Sequence, residues 1–235
     1  MMLGFLFVGC LSYAISIFID VFVWHFRFYT FHEANNRYLV SMSNILQYSA
    51  RAFILLFGPI MAYYTEKYNN LDIIFWSTVV SHVIVIVLVL VTLNAAFCSK
   101  LSALLLKMLN FHKVPLDHKM VKVNILKAAD EISVFRMGKY KMLTLACTAA
   151  SFFFAVGGSL IYYLSFYFPK RVLFMTTQAQ IINMFGTLLF VLLIDPTISK
   201  QMDVNKGYAE IRVYTYARIL AHILLIASLI YFYSA

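Results

Sequence analysis

The sequence predicts an all-α, polytopic integral membrane protein of about six transmembrane helices, with a basic amphipathic helical loop on one side. Three observations predict it. Of 235 residues, 63% are hydrophobic and 12% are charged, whereas soluble domains carry about 25% charged residues. Six apolar runs are long enough to cross a bilayer, which takes about 20 helical residues. The basic residues gather in the connections between those runs, as the positive-inside rule requires. No composition shift marks a second domain, so residues 1–235 read as one transmembrane unit.

The first run, Leu3 to Trp24, lacks a basic leader and a small-residue cleavage site, so it reads as a retained span and not a signal peptide. The second, Tyr38 to Tyr64, is free of Asp, Glu, Lys and Arg except for Arg51. The third and fourth, Ile73 to Cys98 and Met142 to Phe168, carry none of the four. The fifth, Val172 to Ile194, is expected to stop at Ile194-Asp195-Pro196, because proline disfavours helix in the residue before it. The sixth, Val213 to Tyr233, contains Arg218 and His222. Tyr162, Tyr163, Phe166, Tyr167 and Phe168 crowd one end of the fourth run, as in an interfacial aromatic belt.

Ser99 to Lys141 holds nine basic and three acidic residues, +6 of the chain's net +9. This loop is therefore expected in the cytoplasm, with both termini outside. Leu101, Leu104, Leu105, Met108 and Leu109 give its first part a helical apolar face, which Pro115 ends. A second basic amphipathic helix is expected over residues 117–135, suited to lie on anionic lipid. Orientation accounts for the positive charge, so a nucleic-acid partner is not called for.

Arg51 stands near the middle of its run, where a cation is costly unless it meets an anion or a wet cavity. Two readings compete: a buried ion pair fixing the packing, or an anchor for an anionic substrate, and default function at such positions favours the second. Asp20 shares a helix face with Arg27, seven residues on, and has Arg27, Arg37 and Arg51 as candidate partners. Thr176, Gln180, Asn183 and Thr187 recur at i, i+4, i+7 and i+11 below Arg171. That stripe is either interhelical glue or a polar translocation wall. Asp195, like Asp20, is a candidate for ion pairing or ion coupling.

Gly157, Gly158 and Ser159 suit close helix packing, and His82 and His222 suit buried, hydrogen-bonded histidine. Cys10, Cys98 and Cys147 read as small buried hydrophobes. No His, Cys, Asp or Glu grouping has metal-ligand spacing. No nucleophile–base or paired-carboxylate arrangement stands out, so no catalytic residue is assigned.

Three stretches resemble the Amj family, the alternate lipid II flippases of bacteria. They are Asp20 with Arg27; Asn44, Arg51 and Pro59 within SNILQYSARAFILLFGP; and the Phe168-Pro169-Lys170-Arg171 turn followed by QAQIINMFGTLLFVLLIDPTISKQMD. The resemblance excludes the basic loop. It implies a flippase of the bacterial inner membrane that carries an undecaprenyl-pyrophosphate-linked cell-wall precursor outward, with no cofactor and no covalent chemistry. Arg51 and Arg171 would meet the pyrophosphate, and Thr176, Gln180, Asn183 and Thr187 its polar head. Flippase activity on another polyprenyl-linked glycan, and an enzyme acting on polyprenyl phosphate, are the alternatives. Six helices are few for alternating access, so a homodimer enters the expectation.

Overall fold

The computed structural model describes residues 2–30, 36–68, 70–110, 137–168, 172–204 and 206–234. The helix expected over 117–135, Pro115 and Arg171 lie outside them, and so does the side chain of Thr176.

Every regular element among these residues is helical, and six stretches are long and apolar enough to cross a membrane. The protein is thus an all-α, multi-pass membrane protein. The helices are α1 (Met2–Thr30), α2 (Asn36–Tyr68), α3 (Leu71–Val91), α4 (Ala95–Leu109), α5 (Lys141–Ala155), α6 (Ile161–Tyr167), α7 (Val172–Leu189), α8 (Asp195–Asp203) and α9 (Tyr208–Ser234). A five-residue π-turn, Val156–Leu160, joins α5 to α6, and a second, Phe190–Ile194, joins α7 to α8.

α1 runs on past Trp24 to Thr30 and α9 starts at Tyr208 and not at Val213, and the boundaries differ most from the sequence expectation at the ends of the third and fifth spans. The third span closes at Val91 and not at Cys98. Thr92 to Asn94 form a turn, and the Asn94 side chain accepts the Phe97 amide at 3.1 Å to start α4. An asparagine that satisfies a first-turn N–H is a helix start, and its signal was hidden by the flanking apolar residues. The fifth span does not stop before Pro196. The chain widens into the π-turn, where the Asp195 amide bonds Phe190 O, and Pro196 enters the first turn of α8. There its missing N–H has no helical partner to lose.

α1 and α9 form the centre. α1 packs on α2, α3 and α4, and α9 packs on α5 and α3, while α7 lies outside on α5. Tyr13, Val21, Val23 and Phe26 of α1 and Tyr214, Ala217, Ala221 and Leu225 of α9 are buried. Glycines set the closest approaches. A Cβ on Gly186 would stand 3.1 Å from the Ala150 carbonyl, so α7 rides directly on the α5 backbone. One on Gly158 would stand 3.3 Å from the Tyr13 ring. Packing is thus the role of the Gly157-Gly158 pair. Gly207, at φ +113°, makes the reversal into α9 that a side chain would resist.

Candidate functional site

A seam of buried polar side chains runs along α9, and it starts from residues spaced one turn apart. Tyr214, Arg218 and His222 recur at i, i+4 and i+8, which is one helix face. In a bilayer core, water cannot serve these groups, so each needs a protein partner.

Arg218 is 3% exposed. Its Nε donates to the Tyr214 hydroxyl at 2.9 Å, its Nη2 pairs with the Asp20 carboxylate, and its guanidinium lies 5.3 Å over the Phe154 ring. Tyr214 in turn donates to Asp20 Oδ2 at 3.0 Å. Asp20 therefore pairs with Arg218, from the opposite end of the chain, and with none of Arg27, Arg37 or Arg51. Arg27 instead faces Asp195 at 3.9 Å and stacks 4.9 Å over Trp24. Asp20 and Asp195 thus sit in two separate ion pairs, each joining α1 to the C-terminal third of the chain.

One turn further along α9, His222 Nδ1 meets His82 Nδ1 at 2.8 Å, and His82 Nε2 meets Ser159 Oγ at 2.8 Å. Tyr13 places its ring edge-on to both imidazoles, 5.4 Å from His82 and 6.4 Å from His222. All four side chains are buried. The expectation of buried, hydrogen-bonded histidines is thereby met, but as one network and not as two solitary residues. At the other end of the seam His25 meets Thr215 at 3.3 Å. Buried atoms of the central stretch without a hydrogen-bond partner among the described residues include Arg218 Nη1, His222 Nε2 and the Tyr13 hydroxyl.

The residues singled out in sequence fall elsewhere. Arg51 is exposed on the outer face of α2, with exposed Tyr48, Leu55 and Leu56 around it. Its guanidinium lies 5.4 Å over the Tyr48 ring, and no ion pair among the described residues includes it. It lies neither in a buried pair nor inside the bundle. The stripe on α7 also faces mainly outward. Gln180 and Thr187 are exposed, and Thr187 spends its hydroxyl on the Asn183 carbonyl at 2.9 Å. Asn183 is the inward member. Its Oδ1 is buried against Gly157. These residues form no common pocket with Arg51. Sequence reading passed over Arg218 and His222 as a site, although their spacing with Tyr214 was the available signal. The partners Asp20 and His82 lie 198 and 140 residues away.

Among the described residues no group of three or more His, Cys, Asp or Glu is placed to hold a metal ion. No family model matches the chain, and no curated protein or solved structure matches it either.

Proposed function

We propose that the protein is a lipid flippase. Its cargo is a phosphate-bearing lipid with a hydrated head, of the polyprenyl-linked class that the resemblance to the Amj family implies, with lipid II as the leading member. The carrying observation is the position of Arg51. It lies fourteen residues from each end of the span Arg37–Thr65, on the outward face of the bundle. A guanidinium at that depth is expensive to leave without an anion, and its planar fork matches a phosphate bidentately. An anion arriving from the lipid side is a passing headgroup. The tail of such a lipid stays in hydrocarbon while the head crosses. The polar seam supports the reading, since a path for a hydrated head must replace water with protein partners.

Reconstitution tests this. Vesicles containing the protein and a polyprenyl-pyrophosphate-linked glycan should expose the glycan to an external probe faster than empty vesicles. Arg51→Ala should remove that acceleration without lowering the yield of folded protein, because an outward cation holds no core contact. Unchanged flipping by Arg51→Ala sinks the proposal.

One observation favours a second reading, an enzyme acting on polyprenyl phosphate: Ser159 and His82 are placed as a nucleophile and base would be. Against it, Ser159 Oγ also lies 2.7 Å from the Ala155 carbonyl, which can only accept. The hydroxyl hydrogen is therefore committed there. Release of phosphate from polyprenyl phosphate by the purified protein, lost in Ser159→Ala, would favour the enzyme.

A further inference from the structure

The outer face of α2 carries a row of polar side chains that begins with the span and stops at mid-depth. Arg37, Ser41, Asn44, Tyr48 and Arg51 recur at i, i+4, i+7, i+11 and i+14, which keeps them on one helix face. All five are exposed. At 1.5 Å per residue the row is about 21 Å long, against about 30 Å of hydrocarbon. No Asp or Glu lies between its two arginines. Ser41 bonds back to the Arg37 carbonyl at 3.2 Å. No hydrogen bond among the described residues uses the Asn44 side chain, the Tyr48 hydroxyl or the Arg51 guanidinium. The guanidinium lies over Tyr48 and so leans toward the Arg37 end. Past Arg51 the same face turns apolar, with exposed Leu55, Leu56 and Pro59. The Arg37 end is also a basic end of the bundle. There the Tyr38 hydroxyl donates to Asn110, just past α4, at 3.1 Å, and α4 exposes Lys100 and Lys107.

We propose that this row is a one-sided loading track. The phosphate of a lipid in the leaflet at the Arg37 end is drawn along it to mid-depth, while the tail stays in hydrocarbon. The track deepens the flippase reading and rests on it for onward transport, but binding along the row needs no transport. Every member can donate to a phosphate oxygen: the guanidiniums as bidentate forks, the Asn44 amide through N–H, and the Ser41 and Tyr48 hydroxyls through O–H. A head that sheds water thus meets a new donor at about every turn. Lys100 and Lys107 attract anionic lipid to the entrance. The other occupant open to an exposed membrane helix is a second copy of the chain. Two copies share one orientation in the bilayer, so a two-fold axis runs along its normal and residues of equal depth meet. Seated by this row, Arg51 would face Arg51, and two cations in a low dielectric repel. A phosphate between the donors meets no such conflict. The far leaflet is offered only Leu55, Leu56 and Pro59 on this face, which is why loading is one-sided.

The full chain with ¹⁵N-labelled arginine tests this by solid-state NMR, in vesicles of digalactosyl-diacylglycerol that hold undecaprenyl phosphate as their only phosphorus. The Arg37 and Arg51 signals are those lost in Arg37→Gln and Arg51→Gln. Dephasing by ³¹P should reach both guanidiniums in the wild type. The double variant Asn44→Leu, Tyr48→Leu should keep the dephasing of Arg37, which also shows the fold intact, and lower that of Arg51 about tenfold. Leu55→Ala should change neither. Dephasing at Arg37 alone in the wild type, or at Arg51 undiminished in the double variant, overturns the track. So does a spin label at Ala52→Cys, the native Cys10, Cys98 and Cys147 being buried, that reads one narrow distance to its counterpart, since a second copy then covers the face. Phosphorus beside Arg51 without glycan flipping keeps the track and removes the flippase. Flipping with no phosphorus beside Arg51 removes the track and keeps the transport.

Discussion

Asp20 on α1 and Arg218 on α9 form an ion pair of unequal burial: the Asp20 side chain is 33% exposed and the Arg218 side chain 3%. Removing one partner of a buried pair costs about 3–5 kcal/mol, because the other charge is stranded. Here the two removals differ. Arg218→Gln strands a carboxylate that is a third exposed at the bundle surface and keeps the Tyr214 hydroxyl. Asp20→Asn strands a guanidinium that is almost wholly buried. Asp20→Asn should therefore lower the unfolding midpoint more than Arg218→Gln, and the double variant should lose less than the sum of the two. Thermal melts of the three variants in one detergent check the order.

Ser159 closes the histidine chain. Ser159→Ala leaves the His82 Nε2–H buried without an acceptor, at a cost of about 1–3 kcal/mol. Ser228 is the control, since it is only partly buried and bonds back to the Leu224 carbonyl of its own helix at 2.9 Å. Ser228→Ala should stay within about 0.5 kcal/mol of wild type. Denaturation curves of the two variants would decide whether the network is energetically coupled.

Gly157 and Gly4 should respond oppositely to alanine. A Cβ at Gly157 would enter the space of the Asn183 side chain and stand 2.9 Å from the Ala179 carbonyl, while one at Gly4 meets nothing within 4 Å. Gly157→Ala should destabilise by forcing α7 away from the π-turn. Gly4→Ala should stabilise by up to about 1 kcal/mol through helix propensity. Melting temperatures of opposite sign are the expected reading.

Cys98, at the start of α4, is fully buried and donates to the Thr92 carbonyl at 3.2 Å. Burial pushes its thiol from 9.0 up to about 12. The folded state thus favours the neutral thiol. The corresponding stability is complete below pH 9, where the unfolded thiol stays protonated, and is lost as pH rises toward 12. Maleimide at pH 8 should leave Cys98 unmodified in the native protein and label it after unfolding, as mass spectrometry of the α4 peptide would report.

The class of fold was legible in the chain because it depends on length and hydrophobicity alone. Six apolar runs, with Leu101 to Leu109 amphipathic after the third, are patterns of neighbours. So were the packing role of Gly157 and Gly158 and the burial of Cys10, Cys98 and Cys147. Helix ends were less legible. The Asn94 cap and the π-turn that admits Pro196 change local geometry without interrupting an apolar run.

What the sequence by itself determined is that charge occurs at membrane depth, at Asp20, Arg51 and Arg218. Which of those charges meet was decided by the tertiary structure, because a helix fixes angles only among its own residues. Helical spacing puts Asp20 and Arg27 on one face, but only the antiparallel approach of α1 and α9 could bring Asp20 to Arg218 and set His222 against His82 on α3. The same packing left Arg51 outward, since α1 lies along the other face of α2, where Gly9 meets Ile60.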